Sequence, residues 1–185
     1  MPRIFMLLLV LYTGLLAGAN PARADVAAAE ALRDGSLKRL LFADPVAVGD
    51  GAFTDPAGDE HRLADYQGKW LLVNFWATWC APCRKEMPGL NALQAEFGGD
   101  RFQVLTIATG PNPLPAVQRF MKEVEADELP ILLDPNQALA RQMGVLGLPL
   151  TVLVDPEGRE VARLIGDADW SGESARAIVA ELLAD

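Results

Sequence analysis

Leu71-Leu72-Val73-Asn74-Phe75-Trp76-Ala77-Thr78-Trp79-Cys80-Ala81-Pro82-Cys83-Arg84-Lys85-Glu86-Met87-Pro88 is the stretch from which this chain is read. It opens as an apolar run of the kind shown by a strand buried on both faces. It then delivers two cysteines two residues apart, followed by residues that read as a helix. At a helix start, unpaired backbone N–H groups and the helix dipole stabilise a thiolate, the nucleophilic form of cysteine. Strand, Cys-x-x-Cys and helix in that order therefore point to redox chemistry, with the rest of the chain as its scaffold.

The 185 residues amount to about one domain. Part of the 51% hydrophobic content is not core. Met1-Pro2-Arg3 is a short basic start, Ile4 to Ala19 is almost wholly apolar, and Ala22-Arg23-Ala24 has the small-x-small pattern of a cleavage site. Residues 1–24 thus read as a secretory signal peptide. The alternative is an uncleaved anchor, although the apolar run is short for ~30 Å of hydrocarbon. Cutting after Ala24 removes Arg3 and Arg23 and no acid, taking the net charge from −9 to −11. Such a chain offers no basic stripe to nucleic acid or to an anionic membrane surface. Two cysteines in one Cys-x-x-Cys do not staple a small exported fold; they carry chemistry.

Outward from the central stretch, Val26 to Leu41 reads as a modest amphipathic helix weakened at Gly35-Ser36. Phe53 to Leu63 reads as a short hairpin around Pro56 and Gly58, and Leu63 to Gly68 as a turn. The helix from about Cys80 runs to Phe97 and ends at Gly98-Gly99; Pro82 suits its first turn, and Pro88 should kink it. Phe102 to Ala108 is a second buried strand, Thr109 to Pro113 a loop, and Leu114 to Glu125 a helix. Ile131 to Leu133 is a short strand, and Asn136 to Met143 a short helix. Leu150 to Val154 and Arg159 to Ile165 form a hairpin around Asp155-Pro156-Glu157-Gly158. Ser174 to Leu183 closes the chain as a helix capped near Ser171.

At Trp79-Cys80-Ala81-Pro82-Cys83 the chain resembles the thioredoxin superfamily. The wider stretch from Val73 to Pro88 resembles its exported TlpA/ResA-like branch, as does Gly147-Leu148-Pro149-Leu150-Thr151-Val152-Leu153-Val154-Asp155-Pro156-Glu157-Gly158, which is similar to that branch's cis-proline segment and following strand. The resemblance covers roughly Val46 to Asp185. It implies an α/β thioredoxin fold, a central mixed sheet flanked by helices, with an N-terminal helical extension over residues 25–45 and a β-α insertion around Leu129 to Met143. The domain itself would span residues 46–185.

By that resemblance Cys80 is the exposed attacking thiol and Cys83 the buried resolving thiol of a redox-active pair. An inert disulfide is the plain alternative, and a zinc site lacks ligands, since the chain holds two cysteines and one histidine. Asn74 departs from thioredoxins proper, where an acidic residue at this position relays a proton; Asn cannot titrate. Glu86 lies three residues beyond Cys83 on the same helix face. In this branch a Glu there tunes the cysteines, while the residue-level alternative is an acid placed near a helix N-terminus. Arg84 and Lys85 read as solvated, adding positive potential. Pro149 corresponds to the cis-proline, a conformation found in only ~5% of X-Pro bonds, and the backbone of Leu148 would pair with an extended partner segment. Leu148 departs from the Thr, Val or Met usual before this proline. Trp79 and Trp76 would rim the site, with core packing the alternative for Trp76, and His61 reads as a surface residue.

The resemblance implies an exported thiol:disulfide oxidoreductase, a reductase that acts on proteins with disulfides or paired cysteines and is fed by a membrane electron donor of the thiol-reducing type; no cofactor or metal is expected, and nothing in the sequence demands more than a monomer. Branch members serve cytochrome c maturation or copper-site assembly of cytochrome oxidase, and Leu164-Ile165-Gly166-Asp167-Ala168-Asp169-Trp170 looks closer to TlpA and the copper role. An oxidant that introduces disulfides shares the same residues. A copper-binding chaperone of this fold would pair Cys-x-x-x-Cys with a late histidine, and this chain has none after His61. A peroxidase would use Thr-x-x-Cys, for which Thr78 is misplaced.

Overall fold

A computed structural model describes residues 21–184, with side chains from residue 26. The leader expected over residues 1–24 therefore falls almost wholly outside the described residues. No helix among them is long and apolar enough to cross a membrane.

One eight-stranded mixed sheet carries the fold. Its strands are β1 (Leu41–Ala47), β2 (Phe53–Thr54), β3 (Glu60–His61), β4 (Trp70–Trp76), β5 (Phe102–Thr109), β6 (Leu132–Asp134), β7 (Leu150–Val154) and β8 (Arg159–Ile165). They lie in the order β1-β8-β7-β4-β5-β6-β2-β3. The β4–β5 and β5–β6 pairs are parallel and all others antiparallel. The helices are α1 (Pro21–Ala31), α2 (Ala81–Phe97), α3 (Leu114–Glu123), α4 (Ala138–Gln142) and α5 (Glu173–Leu182). The expected β-α insertion is β6 followed by α4.

Strand β4 lies in the middle because every one of its seven residues is buried. Leu72 and Trp76 face one core, where residues of α1, α2, α3 and α5 pack. Leu71, Val73 and Phe75 face a second core that residues of α4 help close. Side chains alternating across a strand need cover on both faces, which is what an unbroken apolar run requires. Each such fully buried large side chain contributes roughly 1.5–3 kcal/mol.

One reading is corrected. The helix expected over Val26 to Leu41 ends at Ala31; a 3-10 turn covers Gly35–Arg39 and Leu41 opens β1. Gly35 at φ 54 breaks the helical run, and pairing with β8, Leu41 opposite Arg163, takes the residues that follow. The end of the supposed helical extension is thus an edge strand of the main sheet. The last helix is capped by Gly172, beside Ser171 as expected, and the Ser171 hydroxyl donates back to Asp169 Oδ1. Helix α2 runs through Pro88 without interruption to Phe97.

Asp134, buried at the end of β6, accepts from the N–H groups of Ala138 (2.7 Å) and Ala140 (2.9 Å) and so starts α4. Asp134→Ala leaves both donors unpaired and should cost roughly 3 kcal/mol, with Asp134→Asn losing about half as much. Urea unfolding checks this; an Ala variant as stable as the parent would refute the account of α4.

Candidate functional site

The antiparallel pairing of β4 and β7 sets Phe75 opposite Leu150. The chain leaving β4 and the chain entering β7 therefore meet at one edge of the sheet. The first carries Trp79 and Cys80, the second Leu148 and Pro149. Their distance in sequence is removed by one strand pairing.

Cys80 is the N-cap of α2, with φ −86 and ψ 106, and its Sγ accepts the N–H of Cys83 at 3.3 Å. A sulfur in that place receives one of the orphan donors of a helix start. Pro82 sits in the exposed first turn, where its missing N–H costs nothing. Cys80 and Cys83 form a disulfide, S–S 2.02 Å, with Cα atoms 5.3 Å apart. Cys83 is wholly enclosed, and Cys80, expected to be exposed, keeps only 5% of its surface open. In the disulfide its sulfur lies against that of Cys83. Trp79 beside it is 69% exposed, whereas Trp76 belongs to the core and stacks near Phe120, centroids 4.5 Å apart.

The Leu148–Pro149 peptide is cis. Pro149 O accepts the N–H of Gly166 at 2.9 Å, tying this loop to the end of β8. Leu148 is half-buried and packs on both cores. The loop after β4 has a tie of its own. Asn112 Oδ1 accepts from Thr78 N (2.8 Å) and Thr78 Oγ1 (2.9 Å), while its Nδ2 donates to Thr109 O at 2.9 Å. The sequence showed only a loop at Thr109 to Pro113, because a side chain clamping another loop leaves no periodic signal.

Glu86 is 97% enclosed, with 3% exposure, on the inner face of α2. Its Oε1 accepts from Asn74 Nδ2 at 2.8 Å, and its Oε2 from Trp170 Nε1 at 3.0 Å and Ala168 N at 3.2 Å. Asn74 also donates to Thr151 Oγ1 at 2.9 Å. Burial pushes the Glu86 carboxyl up to about 7; the three hydrogen bonds oppose that, and Asp167 adds to it. Gly89 admits the segment that bears Trp170, since a Cβ there would lie 2.9 Å from Ser171 N. A cleft of about 410 Å³, bordered by Arg39, Lys85 and Asp167, reaches Glu86.

Sequence reasoning named Glu86 and Asn74 separately and missed that they are bonded. It missed Thr151, Ala168 and Trp170 as members of the same cluster. The one available signal was Trp170, an indole N–H that must find a partner if buried. The positive potential expected from Arg84 and Lys85 is offset: Arg84 pairs with Glu123 and Lys85 with Asp167, both at 3.0 Å. His61 is half-buried against Phe53, in the β2–β3 hairpin. No cluster of metal-ligating groups occurs among the described residues.

A family model for the AhpC/TSA family matches residues 47–162. The thiol-disulfide oxidoreductase ResA of Geobacillus kaustophilus is 38% identical over 124 residues, 65% of this chain and 70% of that protein. ResA of Bacillus subtilis is 30% identical over 137 residues, 71% and 75% of the two chains. Among solved structures, the thiol:disulfide interchange protein DsbE of Chlorobium tepidum matches with a TM-score of 0.66 at 27% identity, covering 77% of this chain and 99% of that one. With a matched family model over more than half of its length and a cysteine pair at the head of α2, this chain belongs to the AhpC/TSA family of the thioredoxin superfamily, among its thiol-disulfide oxidoreductases.

Proposed function

We propose that this protein is an exported thiol:disulfide reductase acting on disulfides or paired cysteines of other proteins. The single observation that carries the reading is the Cys80–Cys83 disulfide at the start of α2, with Cys80 Sγ receiving a backbone N–H of the first turn. In the reduced protein the Cys80 thiolate attacks one sulfur of a partner disulfide. A Cys80–partner bond forms, the partner's S–S bond breaks, and the first partner thiolate leaves and takes a proton. Cys83 then gives up its proton and attacks Cys80 Sγ. The second partner thiolate leaves, and the Cys80–Cys83 disulfide carries away the two electrons' worth of oxidation.

Leu148 and cis-Pro149 offer the backbone edge for an extended partner segment, with Trp79 as its apolar rim and Pro82 holding the first turn open. Glu86, poised near neutrality by burial, tunes the proton affinity of the pair from within α2. The chain works as a monomer without cofactor, after residues 1–24 have directed export. A membrane thiol donor restores the dithiol, since an oxidising periplasm does not. Proteins that carry copper or haem through paired cysteines are the partners that need a local reductant there. The second reading, an oxidant that introduces disulfides, uses the same residues and differs in potential alone.

A redox titration of the protein without its leader, against a dithiol/disulfide buffer and read by thiol alkylation, decides between the two. The expected potential is near that of thioredoxin, about −270 mV; a value near −120 mV makes the protein an oxidant. Cys80→Ser should abolish exchange with the fold retained by circular dichroism. Cys83→Ser should accumulate mixed disulfides through Cys80, and their absence with a reducible substrate protein would overturn the assigned order of attack.

Glu86 also has a stability signature. A carboxyl whose folded pKa lies at about 7 rather than 4.5 keeps its proton in the folded chain after the unfolded chain has lost it. The stability that Glu86 contributes is therefore fully present below pH 4.5, falls as pH rises towards 7, and levels off above, by about 3 kcal/mol in all. Urea unfolding from pH 5 to 8 should show this fall in the parent and not in Glu86→Gln; equal slopes would mean that Glu86 ionises normally.

A further inference from the structure

Asn74 is wholly buried, yet its carboxamide is only half used. Both Nδ2 hydrogens are committed, to Glu86 Oε1 and Thr151 Oγ1. Oδ1 is enclosed and has no donor among the described residues. A buried acceptor left without a donor is costly, and its presence beside a reactive group asks for a reason. With Glu86 ionised, Nδ2 rather than Oδ1 must face its carboxylate, which fixes the amide orientation in that state.

The direction in which Asn74 projects follows from the strand. Leu72 and Trp76 face the core that contains α2, and Val73 and Phe75 face the other, so Asn74 points at α2. The residues that α2 buries in its first two turns are Cys83, Glu86 and Met87. Glu86 is already bonded to Asn74, and Cys83 precedes it by one helical turn on the same face. Met87 has no hydrogen to donate. Thr106, opposite Asn74 on β5, commits its hydroxyl to Pro130 O at 3.1 Å. Cys83 has no hydrogen either while it is in the disulfide, and gains one on reduction.

We propose that Asn74 Oδ1 is the acceptor for the Cys83 thiol of the reduced protein, which makes Asn74 a positioning residue that favours the dithiol over the disulfide. This rests on the pair cycling between the two states, as argued above, and adds the group that sets the balance between them. A dithiol reductant supplies two electrons and two protons as it closes to its own disulfide. The Cys80–Cys83 bond breaks, and each sulfur takes a proton. The proton on Cys83 Sγ completes an S–H···Oδ1 bond that the oxidised form cannot make. Unlike Glu86, Asn74 acts without titrating.

The chain has two cysteines, so Cys80→Ser leaves Cys83 as a single thiol whose S–H stretching band infrared spectroscopy reads alone. The expected band is shifted to lower frequency. It should return towards the free-thiol position when Asn74→Ala or the similarly sized Asn74→Leu is added, and stay shifted when Glu86→Gln is added instead. In the chain with both cysteines, Asn74→Ala should move the equilibrium with dithiothreitol about tenfold towards the protein disulfide, a potential lower by about 30 mV. A band that ignores Asn74, or that moves as much with Glu86→Gln, overturns the proposal. So does an equilibrium shift in the opposite sense, which would place an amide N–H against the sulfur. A pair that dithiothreitol cannot reduce would defeat the functional reading instead, while the infrared comparison would still decide the role of Asn74.

Discussion

The buried carboxyl group of Glu86 is the constraint on which the geometry of the site depends. A buried carboxyl is tolerated only where donors meet it or a proton neutralises it. Here the donors come from β4 through Asn74 and from the segment after β8 through Trp170 and Ala168. One side chain on α2 therefore ties the helix that carries the cysteines to the central strand and to the C-terminal turn. Because the dithiol stands on the first turn of that helix, the same ties fix where its sulfurs lie against the sheet.

The redox pair draws on two different environments. Cys80 lies at the open end, where backbone donors of α2 are available and no carbonyl competes for them. Cys83 lies among apolar side chains, one helical turn before the buried Glu86 on the same helix. The side-chain charges of Arg84 and Lys85 contribute less than their positions suggest, since each faces an acid of its own.

Most of the sheet was legible from periodicity and punctuation. Strands β4, β7 and β8 stand where their apolar runs and the Asp155 to Gly158 turn placed them. The Cys-x-x-Cys pair was legible from its strand-to-helix setting, and the proline at Pro149 through family resemblance, which rests on local motifs. Strand β1 was not legible: Leu41, Asp44 and Pro45 belong to no alternation, and β1 exists because β8 offers an edge to pair with. The Asn112 clamp on Thr78 and the Trp170 bond to Glu86 were hidden for a related reason, as each joins residues more than thirty positions apart through one side chain.

The sequence by itself determined the chemistry available: two cysteines spaced for one helical turn, a helix start to lower the cost of a thiolate, and a buried strand to hold them. These are local properties, set by residue type and by spacing of a few positions. Only the tertiary structure decided that Glu86 is buried, that Asn74 and Trp170 are its partners, and that Pro149 shares an edge with Cys80. Burial and long-range pairing depend on which faces of distant elements meet, and no spacing along the chain encodes that contact directly.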